Sequence, residues 1–287
     1  MTKILYITDS HLKVSNPKGR IDDYRQALFD KHMEFARMCR KLKPDLVLHG
    51  GDFFDTRHQS MDLLLDAITI FKSIGQMVHI LVGSHLWTGS WSTTAKSSAL
   101  SVLAGLDFVK VYPDDYVQEI NKHYTIHMKH CQMVKDPVLW DHILYKDYDG
   151  PGNIFLVSDY HPMQGHDKVK TKKGLVHFVS PGAIARQKRT ASDINRIPHV
   201  AYLIIEGKEL TVKFFRIKCA KPGTEVFDLE APETDDTKDE LDEAVDALKS
   251  ITKHIKIHCP GDLAELLGKQ AKVRRVVIDK CRERLQR

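Results

Sequence analysis

The amino-acid sequence predicts an α/β fold: two packed mixed β-sheets flanked by helices, with a small helical segment at the C-terminal end. Three observations predict it. Up to Gly83, short apolar runs alternate with helical stretches, and the runs close on glycine or an acid. That alternation implies a largely parallel sheet with helices on its faces. From about residue 107 the chain reads as strand after strand, which supplies a second sheet. After Cys219 the composition shifts, first to acidic and then to basic. With 287 residues, 42% of them hydrophobic, the chain is long enough to bury one full core.

The elements follow in order. Residues 4–8 form a short apolar run ending at an acid, a first strand. Residues 21–42 carry apolar side chains at 21, 24, 28, 35, 39 and 42, which is helical spacing. Residues 45–49 are a second strand closed by Gly50, Gly51 and Asp52; residues 61–74 read as a helix; residues 77–82 are a third strand closed by Gly83. Strands are then expected at 108–112, 117–120, 124–128, 154–157, 176–179, 200–205 and 209–217, with Glu206-Gly207-Lys208 turning a hairpin between the last two.

These patterns divide the chain into a sheet domain at 1–218, an acidic linker and helix start at 219–248, and a basic helical tail at 249–287. Residues 230–246 carry nine acids against one lysine, and residues 249–287 carry eleven basic residues against four acids. Asp262 with Glu265 three residues on resembles a capping box, so a helix is expected to begin there. The net charge of +5 permits a polyanionic partner without requiring one. Five cysteines, an odd number with no C-x-x-C pair, read as free thiols of a reducing compartment. No apolar run is long enough to span a membrane, and the first apolar run is too short for a signal peptide, which points to the cytoplasm.

Four segments stand out: Asp9-Ser10-His11, Gly51-Asp52-Phe53-Phe54-Asp55, Gly83-Ser84-His85 and Ser158-Asp159-Tyr160-His161. Each follows an expected strand. Side chains just past strand ends meet in the crevice at the carboxyl edge of a sheet. Mixed Asp and His ligands suit manganese, iron or zinc. Any one segment alone is weak evidence, because Gly-Asp is common turn chemistry; the ordered set of four is much harder to reach by chance.

In that order the segments resemble the calcineurin-like metallophosphoesterases, whose pattern runs D-x-H, G-D-x-x-D, G-N-H-D/E, a lone His and G-H-x-H. The resemblance covers roughly residues 3–217 and is nearest to SbcD-type repair nucleases and their phage-encoded relatives. The stretches 83–103 and 130–138, Tyr160-His161-Pro162 and the loop from Ser180 to Arg186 carry the subgroup likeness. It implies a four-layer sandwich, and cytoplasm as the site of action, or the host's cytoplasm for a phage-encoded chain. It implies Asp9, His11 and His161 as ligands of a first metal, Asp52 as the carboxylate bridging two ions, and His130 as a ligand of the second; His123 and His127 are nearby but read as strand residues. His85 takes the place of the catalytic histidine and Asp55 of the acid that orients it.

Three positions depart from the pattern. Ser84 stands where the family has a metal-binding Asn, Leu86 replaces an acid, and Ser158-Asp159 replaces Gly-His. Ser84 and Asp159 remain candidate ligands, and the extra carboxylate of Asp159 shifts preference toward manganese or magnesium and away from softer ions. Three readings stay open: an active phosphodiesterase with an altered second site, a slow single-metal site, and a fold kept for binding DNA or a protein. A phosphatase or phosphodiesterase of small molecules is a further alternative. The resemblance implies DNA as substrate and a coiled-coil SMC-like ATPase docking on the tail helix, and a homodimer is compatible with it. Lys168, Lys170, Lys172, Lys173, Arg186, Lys188 and Arg189 form basic clusters suited to phosphate contacts or to a solvated loop. No zinc-finger spacing or Walker loop is present.

Overall fold

The computed structural model describes residues 1–86, 98–138 and 141–230. The acidic stretch from residue 231, the expected capping box and the basic tail lie outside the described residues, as does part of the 83–103 stretch.

Strands β1 (Thr2–Ile7), β2 (Leu46–His49), β3 (Val78–Leu81) and β4 (Val109–Tyr112) run parallel, each beside the next. The hairpin of β11 (His199–Glu206) and β12 (Glu209–Arg216) adds antiparallel to β1, giving the order β12-β11-β1-β2-β3-β4. The second sheet has the order β5-β6-β8-β10-β9, from β5 (Asp115–Asn121), β6 (Tyr124–Val134), β8 (Ile154–Ser158), β10 (Gly174–Ser180) and β9 (Gly165–Thr171). A short β7 (Ile143–Leu144) pairs with β6.

Helices α1 (Tyr24–Leu42) and α2 (Met61–Ile74) link the first three strands. Asp23 caps α1 by accepting from the Gln26 amide, and Ser60 caps α2 by accepting from Leu63. Short helices α3 (Ala99–Gly105), α4 (Ala191–Asn195) and α5 (Gly223–Val226) complete the α-helices among the described residues. Leu28, Phe35, Leu63, Ile70 and Leu100 pack these helices onto Leu5, Val47 and Ile80 of the first sheet. Ile4, Tyr6 and Leu48 meet Ile126, Met128 and Leu156 between the sheets. Tyr145 and Tyr148 cover Phe155 and Phe178 on the outer face of the second sheet. Two mixed sheets flanked by helices are thus the architecture the sequence predicts.

Residues 165–171 differ from expectation. They form an edge strand bearing Lys168 and Lys170, in full register with β10, with no free loop until the turn at Lys172 and Lys173. Among the described residues no helix is long and apolar enough to cross a membrane.

Candidate metal centre

The parallel order of β1, β2 and β3 brings the ends of these strands together, and the loops that leave them are stitched to each other. The Asp9 amide donates to Gly51 O at 3.2 Å, His11 N to Asp52 O at 2.9 Å and Leu12 N to Phe53 O at 2.8 Å. The loop after β8 joins them through Asp159 N, 3.1 Å from Asp9 Oδ2. His130 arrives from β6, where the pairing with β8 shifts register between Met128 and Gln132. Such irregularities re-aim side chains next to sites.

The backbone here is held in a conformation that residues with a Cβ seldom adopt. Asp9, His11, Asp52 and Asp159 have φ of 52°, 44°, 47° and 65°. Left-handed non-glycine residues concentrate where the surrounding structure over-determines them. Gly83 serves the same end by close approach. It has φ 82°, and a Cβ there would run into the backbone nitrogen and carboxylate of Asp52.

Ligand atoms converge in three overlapping groups, Asp9-His11-His161, His11-Asp52-His85 and Asp9-Asp52-His130, each within 4.8 Å. The Nε2 atoms of His11 and His161 stand 3.1 Å apart. His11 Nδ1 faces Asp55 Oδ1 at 3.3 Å, without the alignment of a hydrogen bond. Burial, with His11 beside it, pushes His161 down to about 3, which leaves that ring neutral. Two imidazole tips and buried carboxylates pointing at one spot form a donor set that fits a divalent cation.

Charges in the cluster are strongly coupled. Burial lifts the Asp9 carboxyl to about 6, against the pull of His130 and His11. Burial works the same way on Asp52, but the His130 hydrogen bond at 3.1 Å and the charges of His130 and His11 outweigh it and hold Asp52 well below the usual carboxylate range. His130 is correspondingly raised: burial opposes its charge, and the carboxylates of Asp159 and Asp52 prevail.

The remaining candidates sit as follows. Ser84 Oγ donates to Asp52 Oδ2 at 3.2 Å. Asp159 Oδ1 lies 3.5 Å from His130 Nε2. His85 faces solvent, its side chain 45% exposed, with its amide on Asp52 Oδ1 and Nε2 4.0 Å from Asp52 Oδ2. The group that accepts from His85 Nδ1 is the backbone carbonyl of Asp55, at 2.9 Å, rather than the Asp55 carboxylate, which lies 4.0 Å away. That carboxylate instead accepts from Lys13 at 3.0 Å and Gln187 at 2.8 Å. Lys13 and Gln187 belong to no motif, so the sequence carried no signal for either. Leu86, at the missing acid, is buried in the helix-side core. His127 lies away from the cluster, under Tyr148.

Arg186 is not a phosphate contact. It is 2% exposed, with its guanidinium on the carbonyls of Arg196 and Lys221. A long basic side chain in sequence says nothing about which way it points.

Two packed mixed sheets with outer helices, presenting Asp and His side chains in this order from β1, β2, β3, β6 and β8, define a calcineurin-like metallophosphoesterase fold. The DNA double-strand break repair protein Mre11 of Methanocaldococcus jannaschii is 27% identical over 120 residues, which are 41% of this chain and 31% of that protein. The match therefore spans about a third of the relative's length. Solved structures resemble the chain loosely. A predicted phosphoesterase of Streptococcus pneumoniae is 15% identical with a TM-score of 0.38, covering 75% of this chain and 90% of that one. Zinc-complexed Vps29 of Entamoeba histolytica is 11% identical with a TM-score of 0.38, covering 76% and 100%. The phosphoesterase YfcE of E. coli is 10% identical with a TM-score of 0.37, covering 71% and 88%. No family model matches the sequence.

Proposed function

We propose that the chain is a metal-dependent phosphodiesterase acting on DNA, the nuclease subunit of a recombination or repair complex of SbcD type. The observation that carries the reading is the convergence of Asp9, His11, Asp52, His130 and His161 beneath an exposed His85. Bound manganese would supply Lewis acidity and a hydroxide at neutral pH. Asp9, His11, His161 and Asp52 would hold the first ion; Asp52 and His130, with Asp159 and Ser84 as weaker donors, would hold a second. His85 donates Nδ1–H to the Asp55 carbonyl, so Nε2 is its working nitrogen. Protonated there, it stabilises charge on a phosphoryl oxygen or passes the proton to the leaving oxygen.

Two observations support DNA as substrate. One is the similarity to Mre11, a DNA double-strand break repair protein by name. The other is the exposed row of His166, Lys168 and Lys170 on one face of β9. Partnership with an SMC-like coiled-coil ATPase through the tail, a homodimer and a cytoplasmic setting belong to the same reading. The test is cleavage of linear DNA by the manganese-loaded full chain. His85→Ala should lower the rate by about 100-fold or more; equal cleavage by both proteins would remove the assignment.

A second reading is favoured by the hydroxyl of Ser84, which is bound to Asp52 where the family has an amide ligand. On it the chain is a weakened or inactive module that binds DNA or a protein partner. Brisk DNA cleavage by the unmodified chain would dispose of this reading.

A further inference from the structure

Behind the candidate ligands, on the side away from solvent, lies a set of polar side chains that the metal reading does not use. Ser10, His32 and His49 are at most 1% exposed. Ser10 Oγ is 2.9 Å from His32 Nε2 and 2.8 Å from His49 Nε2. The far nitrogen of His49 accepts from the Gly51 amide at 3.2 Å, and His32 Nδ1 lies 2.8 Å from Leu28 O.

The direction of every bond follows from the two ends. A backbone amide only donates, so His49 Nδ1 is an acceptor and its proton sits on Nε2, which donates to Ser10 Oγ. A carbonyl only accepts, so His32 carries its proton on Nδ1 and its Nε2 accepts. The Ser10 hydroxyl is then the donor to His32. The result is one unbroken run of donors from the Gly51 amide through His49, Ser10 and His32 to Leu28 in α1, with no polar atom of the three side chains left over. Both rings must be neutral for it. Burial pushes His32 down to about 4 and His49 well below its ordinary value, so both are. Phe53 stands edge-on to both rings at 5.5 Å and closes the set in apolar packing.

The position of this run gives it a role. Ser10 lies between Asp9 and His11, and Gly51 precedes Asp52; Asp9, His11, Gly51 and Asp52 all have positive φ. Backbone held this way relaxes unless something fixes it. We infer that Ser10, His49 and His32 are positioning residues that lock the two ligand-bearing loops to helix α1 and so aim Asp9, His11 and Asp52 at a common cation. The inference rests on the metal-site reading of these ligands. It makes Ser10 more than a spacer in the first motif, and it gives His49 a reason to precede Gly50-Gly51-Asp52.

The test measures Mn2+ affinity by calorimetric titration of the metal-free full chain, alongside thermal melting of the same metal-free samples. His49→Leu breaks the run between the Gly51 amide and Ser10. His49→Asn keeps an acceptor for Gly51 but does not reach Ser10, and Ser10→Ala strands both rings. Each should bind Mn2+ at least about tenfold more weakly while still folded, the scale expected when groups that orient metal ligands are lost. His49→Asn should recover part of the loss of His49→Leu. A purely structural role would lower the melting temperature and leave Mn2+ affinity of the folded chain at the wild-type value, and that result would overturn the inference. If His49→Leu does not fold, Ser10→Ala measured at low temperature decides it in the same way. A wild-type chain that takes up no Mn2+ would overturn the metal reading itself, and this inference with it; wild-type binding with unchanged variants would overturn the inference alone.

Discussion

Asp9 sets the pH behaviour of the site. Burial lifts its carboxyl to about 6, and His130 beside it is raised by Asp159 and Asp52 in spite of burial. A cation must displace both protons, so affinity rises with pH through about 6 and above. Calorimetric Mn2+ titrations at two pH values, in buffers of different ionisation enthalpy, should show proton release that shrinks as pH rises; binding independent of pH between 5 and 8 would contradict this. The metal-free chain carries the same signs. Folded Asp9 holds its proton more tightly than the unfolded chain does, so its contribution to stability is full below the ordinary value of 3.8 and lost as pH rises toward about 6. Asp52 and Asp55, both held low, act oppositely, and their contribution is lost in acid. Gly83 gives the second residue-scale expectation. Alanine there combines a left-handed φ with a collision at Asp52, so Gly83→Ala should cost more than about 1 kcal/mol in urea unfolding and weaken metal uptake together.

At the scale of elements, the proposed DNA substrate bears on β9. Gln164 N on Ser180 Oγ and Ala183 N on His161 O tie the base of the β9–β10 hairpin to the site, and β9 leads away from it. Alternation puts His166, Lys168 and Lys170 on one face, the lysines about 6.6 Å apart. Asp167 occupies the other face, paired with Lys135. Lys168→Glu with Lys170→Glu should therefore weaken binding of duplex DNA and flatten its salt dependence by roughly 0.9 log units per log unit of salt for each phosphate no longer neutralised; filter binding across a salt series measures it, and an unchanged slope would exclude β9 from the DNA path. This strand was also among the elements that could not be read from the sequence. β1, β2, β3 and β11 could be read because they are apolar runs, buried on both faces. In β9 a single apolar residue, Val169, stands among charges, so its period carries no contrast. The site was legible to the same degree. Ligand types and order showed in the motifs, whereas the turn of the Asp55 carboxylate toward Lys13 and Gln187, and the left-handed backbone at Asp9, His11 and Asp52, arise only when separate loops are pressed together.

For the whole molecule the proposed metal reading sets an expected number of ions, because the two halves of the candidate site differ. Asp9, His11 and His161 come from strand ends on both sheets and are stitched by backbone bonds, so the first set is intact and preformed. In the second set Ser84 already donates to Asp52, and the Asp159 amide already donates to Asp9. A hydroxyl is a weaker ligand than an amide oxygen, and a carboxylate is shorter than imidazole, so the second ion should be held loosely. The full chain, loaded with Mn2+ and passed through gel filtration, should retain one ion by elemental analysis and gain a second only in excess Mn2+. Ser84→Asn with Asp159→His should retain two and cleave DNA faster at low Mn2+. Two ions retained by the unmodified chain would mean that Ser84 and Asp159 serve as full ligands and that the weakened-module reading has no basis. None retained would mean that the converging acids and imidazoles hold no cation, and the phosphodiesterase assignment would fall with them.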